Sequence, residues 1–171
     1  MNKETLRTAD YWSKIDCGES DKNFYCFPAI RCRSSKLIFN EQDASRRDWC
    51  EYWTVEKYLK DIIPVGKCLS ICCGFGLVER IISKLGVAKE IYGIDIAPGA
   101  IAEAKRIAEV EHFNNIFYEV VDVNTFTFPK EEYDIIWANG ALHHIKNIEN
   151  VVKNLFDTLK PGGYLISRVC L

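Results

Sequence analysis

Residues 67–96, KCLSICCGFGLVERIISKLGVAKEIYGIDI, are typical of a strand, a tight turn, a helix and a second strand. The apolar run 67–73 predicts a buried strand, and Gly74 and Gly76 predict a turn that leads directly into a helix. The helix has apolar residues at helical spacing, and those expected to face the core are Leu77, Val78, Ile81, Ile82 and Leu85. Because Gly86 is a common kind of helix end and another apolar run follows it, the segment predicts a parallel strand–helix–strand unit.

The same alternation continues along the rest of the chain. Strands are predicted at residues 67–73, 91–96, 116–121, 133–138 and 164–169, and helices at residues 76–85, 98–110 and from Asn147 onward. The last helix has the apolar positions Ile148, Val151, Val152, Leu155, Phe156 and Leu159, and its predicted end is Pro161, Gly162 and Gly163. Strands that alternate with helices predict an α/β fold, a Rossmann-like doubly wound parallel sheet whose ligand site lies at the carboxyl ends of the strands.

Residues 1–64 differ in character, and we expect them to form a helical, aromatic cap beside a core of residues 65–171. Asn40 is typical of a helix N-cap, and one helix is predicted from there to about Ile63. That helix would place Trp49, Tyr52, Trp53, Glu56 and Leu59 on one face. Upstream, aromatic residues are dense enough to predict a packed segment rather than a disordered one; they are Trp12, Phe24, Tyr25 and Phe27.

Composition narrows the class of protein. The 171 residues carry a formal net charge of −2 without a dense basic stretch, so no nucleic-acid partner is expected. No apolar run reaches the roughly 18 residues of a membrane span, and the polar N-terminus lacks a signal-peptide core, so we expect a cytoplasmic protein without a membrane span. The eight cysteines are expected to be reduced thiols, with Cys68, Cys72 and Cys73 in the core. Their spacing lacks paired Cys-x-x-Cys units, so no metal site is expected.

Candidate ligand-binding residues follow each of the first four predicted strands. The two glycines of the first turn would let a ligand approach the backbone, although an ordinary tight turn uses such glycines equally well. Asp95 ends the second strand, where a carboxylate accepts hydrogen bonds from ribose hydroxyls or caps the next helix. Asp122 follows the third strand, where it can accept from an adenine amino group or stabilise a turn. The fourth strand leads into Asn139 and the pair His143 and His144.

Two other nucleotide-binding motifs fit poorly. A nicotinamide-binding turn needs G-x-G-x-x-G, and counting from Gly74 the third glycine position holds Glu79. That carboxylate would lie where a pyrophosphate or a close helix–strand contact belongs, which disfavours a dehydrogenase. No G-x-x-x-x-G-K-[ST] motif occurs, so a P-loop NTPase is excluded.

Residues 67–166 resemble the class I S-adenosylmethionine (SAM)-dependent methyltransferases, especially the small-molecule branch that includes the enzymes of ubiquinone and menaquinone biosynthesis. Four motifs match in order: the glycine turn, the acid after the second strand, the aspartate after the third, and the segment YDIIW…ALHHI…LKPGGYL. The resemblance implies a sheet of order 3-2-1-4-5 and S-adenosylhomocysteine (SAH) as the product. It also implies SAM contacts at Gly74, Gly76, Asp95, Ile96, Asp122, Val123 and Asn139.

The first motif departs from the family pattern D-x-G-x-G-x-G at two positions. Ser70 stands where the acid is expected, and Cys72, which precedes Cys73, replaces the first glycine. The family's acid helps to hold the methionine ammonium group, whereas Ser70 can form a hydrogen bond but supplies no charge. We keep Ser70, Cys72 and Cys73 among the candidate cofactor-binding residues, and expect weaker binding, a substitute acid such as Glu79, or loss of activity.

Methyl transfer depends mainly on holding the acceptor in line with the activated carbon, which can lower the barrier by roughly 7–11 kcal/mol. A base is needed only when the acceptor must lose a proton early. His143 and His144 are the candidates, and a purely structural role of His144 is the alternative. The aromatic residues that could face the sulfonium or the acceptor, or else simply pack, are Tyr11, Trp12, Trp49 and Trp53.

The sequence therefore predicts SAM-dependent methyl transfer to an oxygen or nitrogen atom of a small-molecule acceptor. The alternative is a non-catalytic module of the same fold that binds a partner, because Ser70 and Cys72 depart from the motif; a NAD-dependent oxidoreductase is less favoured. The family's sheet has seven strands and this sequence predicts five. We therefore expect a C-terminally shortened enzyme that self-associates through the open edge of its fifth strand.

Overall fold

The computed structural model describes residues 3–14, 28–46 and 48–168. In chain order its helices are α1 (Lys3–Ser13), α2 (Pro28–Phe39), α3 (Trp49–Thr54), α4 (Leu77–Lys84), α5 (Pro98–Val110) and α6 (Ile148–Thr158). Its strands are β1 (Val65–Ile71), β2 (Ala88–Asp95), β3 (Ile116–Val120), β4 (Tyr133–Asn139) and β5 (Leu159–Arg168). Contacts divide the chain into a larger unit, Met1–Lys14 with Pro64–Leu171, and a smaller unit, Ile15–Ile63.

The larger unit is built on one parallel sheet. Its strand order is β3-β2-β1-β4-β5, and each neighbouring pair of strands is parallel. The direction of winding switches between β1 and β4, which is where ligands bind in sheets of this kind. The predicted Rossmann-like, doubly wound α/β fold of order 3-2-1-4-5 is confirmed.

The first helix, α1, belongs to the larger unit. The backbone N–H of Gly99, in the first turn of α5, donates to the Ser13 hydroxyl at the end of α1, with a distance of 3.1 Å. A Cβ at Gly99 would lie 2.7 Å from that of Ser13, so the glycine permits the close approach of the two helices. This contact joins α1 to the residues of the core.

The core of the larger unit lies on the two central strands. In β1 and β4 six apolar side chains are at most 1% exposed, and they are Cys68, Leu69, Ile71, Ile135, Ile136 and Ala138. Such continuous apolar runs are typical of parallel strands that are covered on both faces. On the helical side, Val151 and Leu155 of α6 are fully buried against this core, and α6 begins at Asn147, whose side chain accepts from the N–H of Asn150.

One packing expectation, that Leu77 faces the core, was wrong, and two of the apolar positions named for α6 are also exposed. Leu77, the first residue of α4, is 46% exposed, and Ile148 and Phe156 of α6 are 42% and 75% exposed. The apolar face of α6 is therefore wider than the part of the helix that packs against the core. Pro161, Gly162 and Gly163 do not separate α6 from β5 but lie inside β5, together with Leu159. A register shift of the β4–β5 pair, between Tyr133 and Ile135, accommodates them, as is common for proline near a sheet edge.

The smaller unit consists of α2, α3 and a π-helical turn, Val55–Leu59, that continues α3. Asn40 follows α2 with a φ of +58°, so it ends a helix and the N-cap assignment was wrong. Asparagine tolerates this left-handed conformation, which commonly terminates helices. The single helix predicted from Asn40 to Ile63 is correspondingly shorter. A small core joins the two helices and comprises Phe39, Ala44, Trp49 and Cys50.

Several predicted features lie outside the described residues, namely Phe24, Tyr25, Phe27, Cys17, Cys26 and Cys170. Among the described cysteines, Cys32, Cys68, Cys72 and Cys73 are free thiols. Within residues 3–14, 28–46 and 48–168, no helix combines the length and apolarity that a membrane crossing requires. The same residues contain no cluster of three or more His, Cys, Asp or Glu side chains that could hold a metal ion.

Candidate functional site

A cavity of about 270 Å³ lies in the larger unit at the carboxyl ends of β1, β2, β3 and β4. Its size is near the lower end of the range for small-molecule sites, about 300–1,000 Å³. Seven of the candidate residues line it: Cys72, Gly74, Asp95, Ile96, Asp122, Val123 and His144. The other candidates are close in sequence but do not line it, and they are Ser70, Cys73, Gly76, Asn139 and His143.

The turn after β1 brings left-handed backbone to the cavity wall. The φ angles are +52° at Cys72, +54° at Gly74 and +73° at Gly76. A Cβ at Gly74 would meet no protein atom within 4 Å, so the glycine leaves open space beside the cavity. A Cβ at Gly76 would instead lie 2.2 Å from the hydroxyl oxygen of Tyr118, which donates to the Gly76 carbonyl. Protein packing therefore accounts for Gly76, whereas it leaves Gly74 unexplained.

Asp95 connects the glycine turn to the start of α5. Its Oδ2 accepts from the backbone N–H of Gly74 at 2.9 Å, and its Oδ1 accepts from the N–H of Ala97 at 2.9 Å. The N-cap residue of α5 is Ala97 and no side chain caps the helix, so Asp95 does not cap α5 but holds the turn that leads into it, beside its place in the cavity wall. An ionised carboxylate has about four acceptor positions, which leaves about two for a ligand.

Asp122 and Asn124 form the wall after β3. Asp122 Oδ1 accepts from the backbone N–H of Asn124 at 3.0 Å and from its side-chain amide at 2.9 Å. Asn124 Oδ1 in turn accepts from the backbone N–H of Lys146 at 3.1 Å. Asp122 therefore stabilises the turn after β3, which was one of the two roles expected of it. Through Asn124, this turn is hydrogen-bonded to the loop after β4.

His144 lies in the cavity wall beside an aromatic residue of α1. Its ring meets Trp12 edge to face, with centroids 5.2 Å apart, and the centroid of the His143 ring lies 3.8 Å from its own. Burial, and then the neighbouring His143, lower the pKa of His144 below its ordinary value, while Asp95 partly opposes them. A lowered pKa keeps the imidazole neutral near pH 7, the form that can accept a proton.

Helix α1 contributes a wall that the sequence analysis largely missed. Thr5, Thr8 and Trp12 line the cavity, and their spacing places them on one helical face. That spacing was the available signal, but only Trp12 was considered. The other missed lining residues are Phe75, Ile94, Ala100, Val121, Asn124, Gly140, Ile145 and Lys146.

A buried carboxylate lies behind the glycine turn. Glu79, in the first turn of α4, is 0% exposed, and neither of its oxygens has a hydrogen-bond partner in the described part of the chain. Burial raises the pKa of Glu79 from 4.5 to about 7, although the nearby Ser70 hydroxyl and Arg80 partly offset the effect. Because Glu79 does not line the cavity, it is not placed to contact a ligand directly in place of the acid expected at position 70.

The cysteines of this region are inert. Cys68 is buried in β1, as expected, but Cys72 and Cys73 are only partly buried, because the turn carries them out of the core. Burial, and then the negative charges of Asp95 and Asp122, raise the pKa of the Cys72 thiol to about 12. Since the thiolate is the reactive form, Cys72 contributes a small neutral surface to the cavity rather than a nucleophile.

Known proteins are similar to this chain in sequence and in fold. A ubiquinone biosynthesis O-methyltransferase of Coxiella burnetii is 32% identical over 111 residues, which are 64% of this chain and 46% of that protein. A phosphoethanolamine N-methyltransferase of Haemonchus contortus, solved with phosphomonomethylethanolamine and SAH, has a TM-score of 0.61 at 21% identity, covering 86% of this chain and 34% of its own. This chain thus spans less than half the length of each of these two proteins.

The fold alone does not determine the reaction. A 4+2 cyclase has the same TM-score of 0.61 at 20% identity, covering 74% of this chain and 48% of its own. The family assignment rests instead on the sequence match, because residues 69–167, more than half of the chain, match the family described as a methyltransferase domain. The chain therefore belongs to this family of SAM-dependent methyltransferases.

Proposed function

We propose that this chain binds SAM and transfers its methyl group to an oxygen or nitrogen atom of a small-molecule acceptor. The observation that carries the proposal is Asp95, whose carboxylate lies in the cavity wall and accepts from Gly74 N–H at 2.9 Å. In a sheet of this order, an acid at the end of the second strand is suited to binding ribose hydroxyls. The match to the methyltransferase domain supports the same assignment.

The cavity residues fit the parts of SAM. We assign the ribose to Asp95 and Ile96, the adenine to Asp122 and Val123, and the methionine part to the turn at Gly74. Gly74 and Gly140 both line the cavity, and a Cβ at either would enter space free of protein atoms. Ser70, Cys73, Gly76 and Asn139 act in this proposal only by supporting the backbone of the site.

Bound SAM supplies a methyl group that its positively charged sulfur has already activated. The chain itself supplies orientation and shielding, and we assign the shielding to the α1 residues Thr5, Thr8 and Trp12. In this proposal α1 takes the covering role that was expected of residues 1–64. Orientation of this kind lowers barriers by roughly 7–11 kcal/mol in well-aligned systems.

The acceptor decides whether a base is needed. A hydroxyl acceptor must lose a proton, and His144, neutral and in the cavity wall, is the side chain we assign to accept it. An amine acceptor that reacts as a free base needs no such residue during transfer. His143 does not line the cavity, so we assign it no direct contact with the acceptor. His143 instead helps to lower the pKa of the neighbouring His144.

Calorimetric titration with SAM, SAH and NAD tests the cofactor assignment. We expect saturable binding of SAM and SAH and no binding of NAD. Incubation with SAM and a metabolite extract should then yield a product that is about 14 Da heavier than its precursor, as detected by mass spectrometry. Absence of SAM binding to folded protein would overturn the proposal.

A second candidate function is SAM binding without methyl transfer. Its support is the departure from the family motif at Ser70 and Cys72, together with the 4+2 cyclase that shares the fold. This candidate predicts SAM binding with no methylated product for any acceptor. A methylated product that disappears in the Asp95→Ala variant would exclude it.

A further inference from the structure

Glu79 is a buried acid that the proposed mechanism does not use. It lies three residues beyond Gly76, at the start of α4, and its carboxylate is 0% exposed without a hydrogen-bond partner in the described residues. An ionised carboxylate in such a place is unfavourable unless a charge of opposite sign compensates it. The glycine turn separates this acid from the cavity.

The polar and titratable groups that interact electrostatically with Glu79 come from β1, the glycine turn, β2, β3 and α4. They are Cys68 and Ser70 of β1, Cys73 of the turn, Asp95 of β2, Tyr118 of β3 and Arg80 of α4. Burial raises the pKa of both thiols and of the phenol, so these three groups stay neutral. The Arg80 charge is shared, because its Nη1 donates to the Phe75 carbonyl at 2.7 Å and its Nε lies 3.7 Å from Glu111.

Asp95 couples Glu79 to the cavity. The negative charge of Asp95 adds to burial in raising the pKa of Glu79 to about 7, and Asp95 itself lines the cavity and holds Gly74. A positive charge in the cavity would act in the opposite direction to Asp95. It would favour the ionised form of Glu79, because a charge of opposite sign stabilises a carboxylate.

Resting on the SAM site proposed above, we propose that Glu79 is a specificity-determining residue that favours the positively charged cofactor over its product. SAM carries one more positive charge than SAH, at the sulfur atom. When the cation binds, the Glu79 carboxyl gives its proton to solvent, and the carboxylate that remains attracts the cation. After transfer the charge is gone, the carboxylate takes a proton back, and the product is held less tightly.

The proposal fixes the direction of a pH effect. The affinity for SAM rises as pH increases through the range in which Glu79 ionises, and it levels off above that range. If the cation lowers the pKa of Glu79 by about one unit, the ionised form binds it about tenfold more tightly than the protonated form. The affinity for SAH should stay within about twofold over the same range.

Proton release is measured by calorimetry near pH 7 in two buffers of different ionisation enthalpy. The ligands are SAM, SAH and sinefungin, which replaces the sulfonium by a protonated amine and cannot transfer a methyl group. We expect a fraction of a proton to be released with SAM and with sinefungin, and none with SAH. Equal release with all three ligands, or none with any, would overturn the proposal.

Glu79→Gln keeps the size of the side chain and mimics its protonated form. We expect it to bind SAM about tenfold more weakly than the wild type at about pH 8 and to bind SAH unchanged, without proton release. Glu109→Gln, an exposed change on α5, is the matched control and should behave as the wild type. His144→Asn should retain the proton release, which separates Glu79 from the histidine.

The failure of this inference differs from that of the proposed function. If the wild type binds SAM and Glu79→Gln keeps the full preference for SAM over SAH, only the role of Glu79 is wrong. If the wild type binds neither ligand, the SAM site is wrong and the inference falls with it. If the Glu79→Gln variant does not fold, the measurement of proton release from the wild type with SAM, SAH and sinefungin still tests the role of Glu79.

Discussion

At the residue scale, Asp95 combines a structural and a ligand-binding role in one carboxylate. It holds the N–H groups of Gly74 and Ala97 and still has acceptor positions for a ligand. We expect Asp95→Ala to weaken SAM binding about ten- to hundredfold, because hydrogen bonds to a charged group are worth about 1.5–3 kcal/mol. Calorimetry on folded variants measures the loss. Asp157→Ala, at an exposed site on α6, is the control, and unchanged affinity in Asp95→Ala would remove the ribose assignment.

Gly74 and Gly86 form a matched pair for testing the glycine turn. Both have positive φ angles, +54° and +68°, and a Cβ at either would meet nothing within 4 Å, but only Gly74 lines the cavity. Alanine at either position should cost about 1–2 kcal/mol of stability, because a left-handed residue with a Cβ is strained. Only Gly74→Ala should reduce SAM affinity, by tenfold or more on an order-of-magnitude estimate. Equal affinities of the two variants would place the methionine part of SAM elsewhere.

The buried Glu79 should also make folding stability depend on pH. Its pKa is raised on folding from 4.5 to about 7, so the folded state holds a proton that the unfolded state has lost between these values. Stability from this group is therefore full below about pH 4.5 and falls as pH rises toward about pH 7, by up to about 3 kcal/mol. Urea unfolding of the wild type and Glu79→Gln should show a difference that grows with pH. A difference independent of pH would mean that Glu79 does not titrate in this range.

At the element scale, the alternation of strands and helices was predictable, because each strand is a continuous apolar run and each following helix has its own start signal. Pro98 and Asn147 begin α5 and α6 where the sequence indicated. The ends of elements were less predictable. Asparagine is favoured both at the N-cap of a helix and just after its C-terminal end. Only the presence of α2 before Asn40 decides that this residue ends a helix. Pro161 suggested a break, yet a register shift at the sheet edge lets the strand include it.

The candidate site was predictable where a strand ends and unpredictable where another element reaches over it. Asp95 and Asp122 follow apolar runs, so their place at the sheet edge follows from the alternation alone. The α1 residues Thr5 and Thr8 are common surface residues in a short helix far away in sequence. Their contact with the cavity depends on how α1 docks beside α5, through Ser13 and Gly99, and local pattern carries no information about that docking.

Helix α1 offers a direct test of its role as a cavity wall. Trp12 lines the cavity beside His144, whereas its neighbour Tyr11 is 61% exposed and does not line it. We expect Trp12→Ala to weaken SAM binding about two- to thirtyfold, since an aromatic face near a cation is worth about 0.5–2 kcal/mol. Tyr11→Ala should leave the affinity unchanged. Calorimetry compares the two, and equal effects would mean that α1 does not cover the bound cofactor.

At the scale of the whole molecule, the cavity is built entirely within the larger unit. Every residue assigned to SAM, including those of α1, belongs to Met1–Lys14 or Pro64–Leu171. The smaller unit has its own aromatic core around Trp49 and Phe39. Cofactor binding is therefore expected to depend on the larger unit.

We predict self-association through the outer side of β5. Among the described strands β5 pairs only with β4, and Tyr164 and Leu165 are 47% and 38% exposed there. An unpaired strand edge with apolar side chains is a template for another chain, and a charged residue on it blocks such pairing. We therefore expect sedimentation velocity to show association that grows with protein concentration, and Leu165→Lys to reduce it without changing SAM affinity.

Leu37→Lys, which removes a residue that is 74% exposed in the smaller unit, is the matched control and should leave association unchanged. A wild type that stays monomeric at every concentration, or an equal effect of both lysine variants, would show that the β5 edge does not mediate self-association.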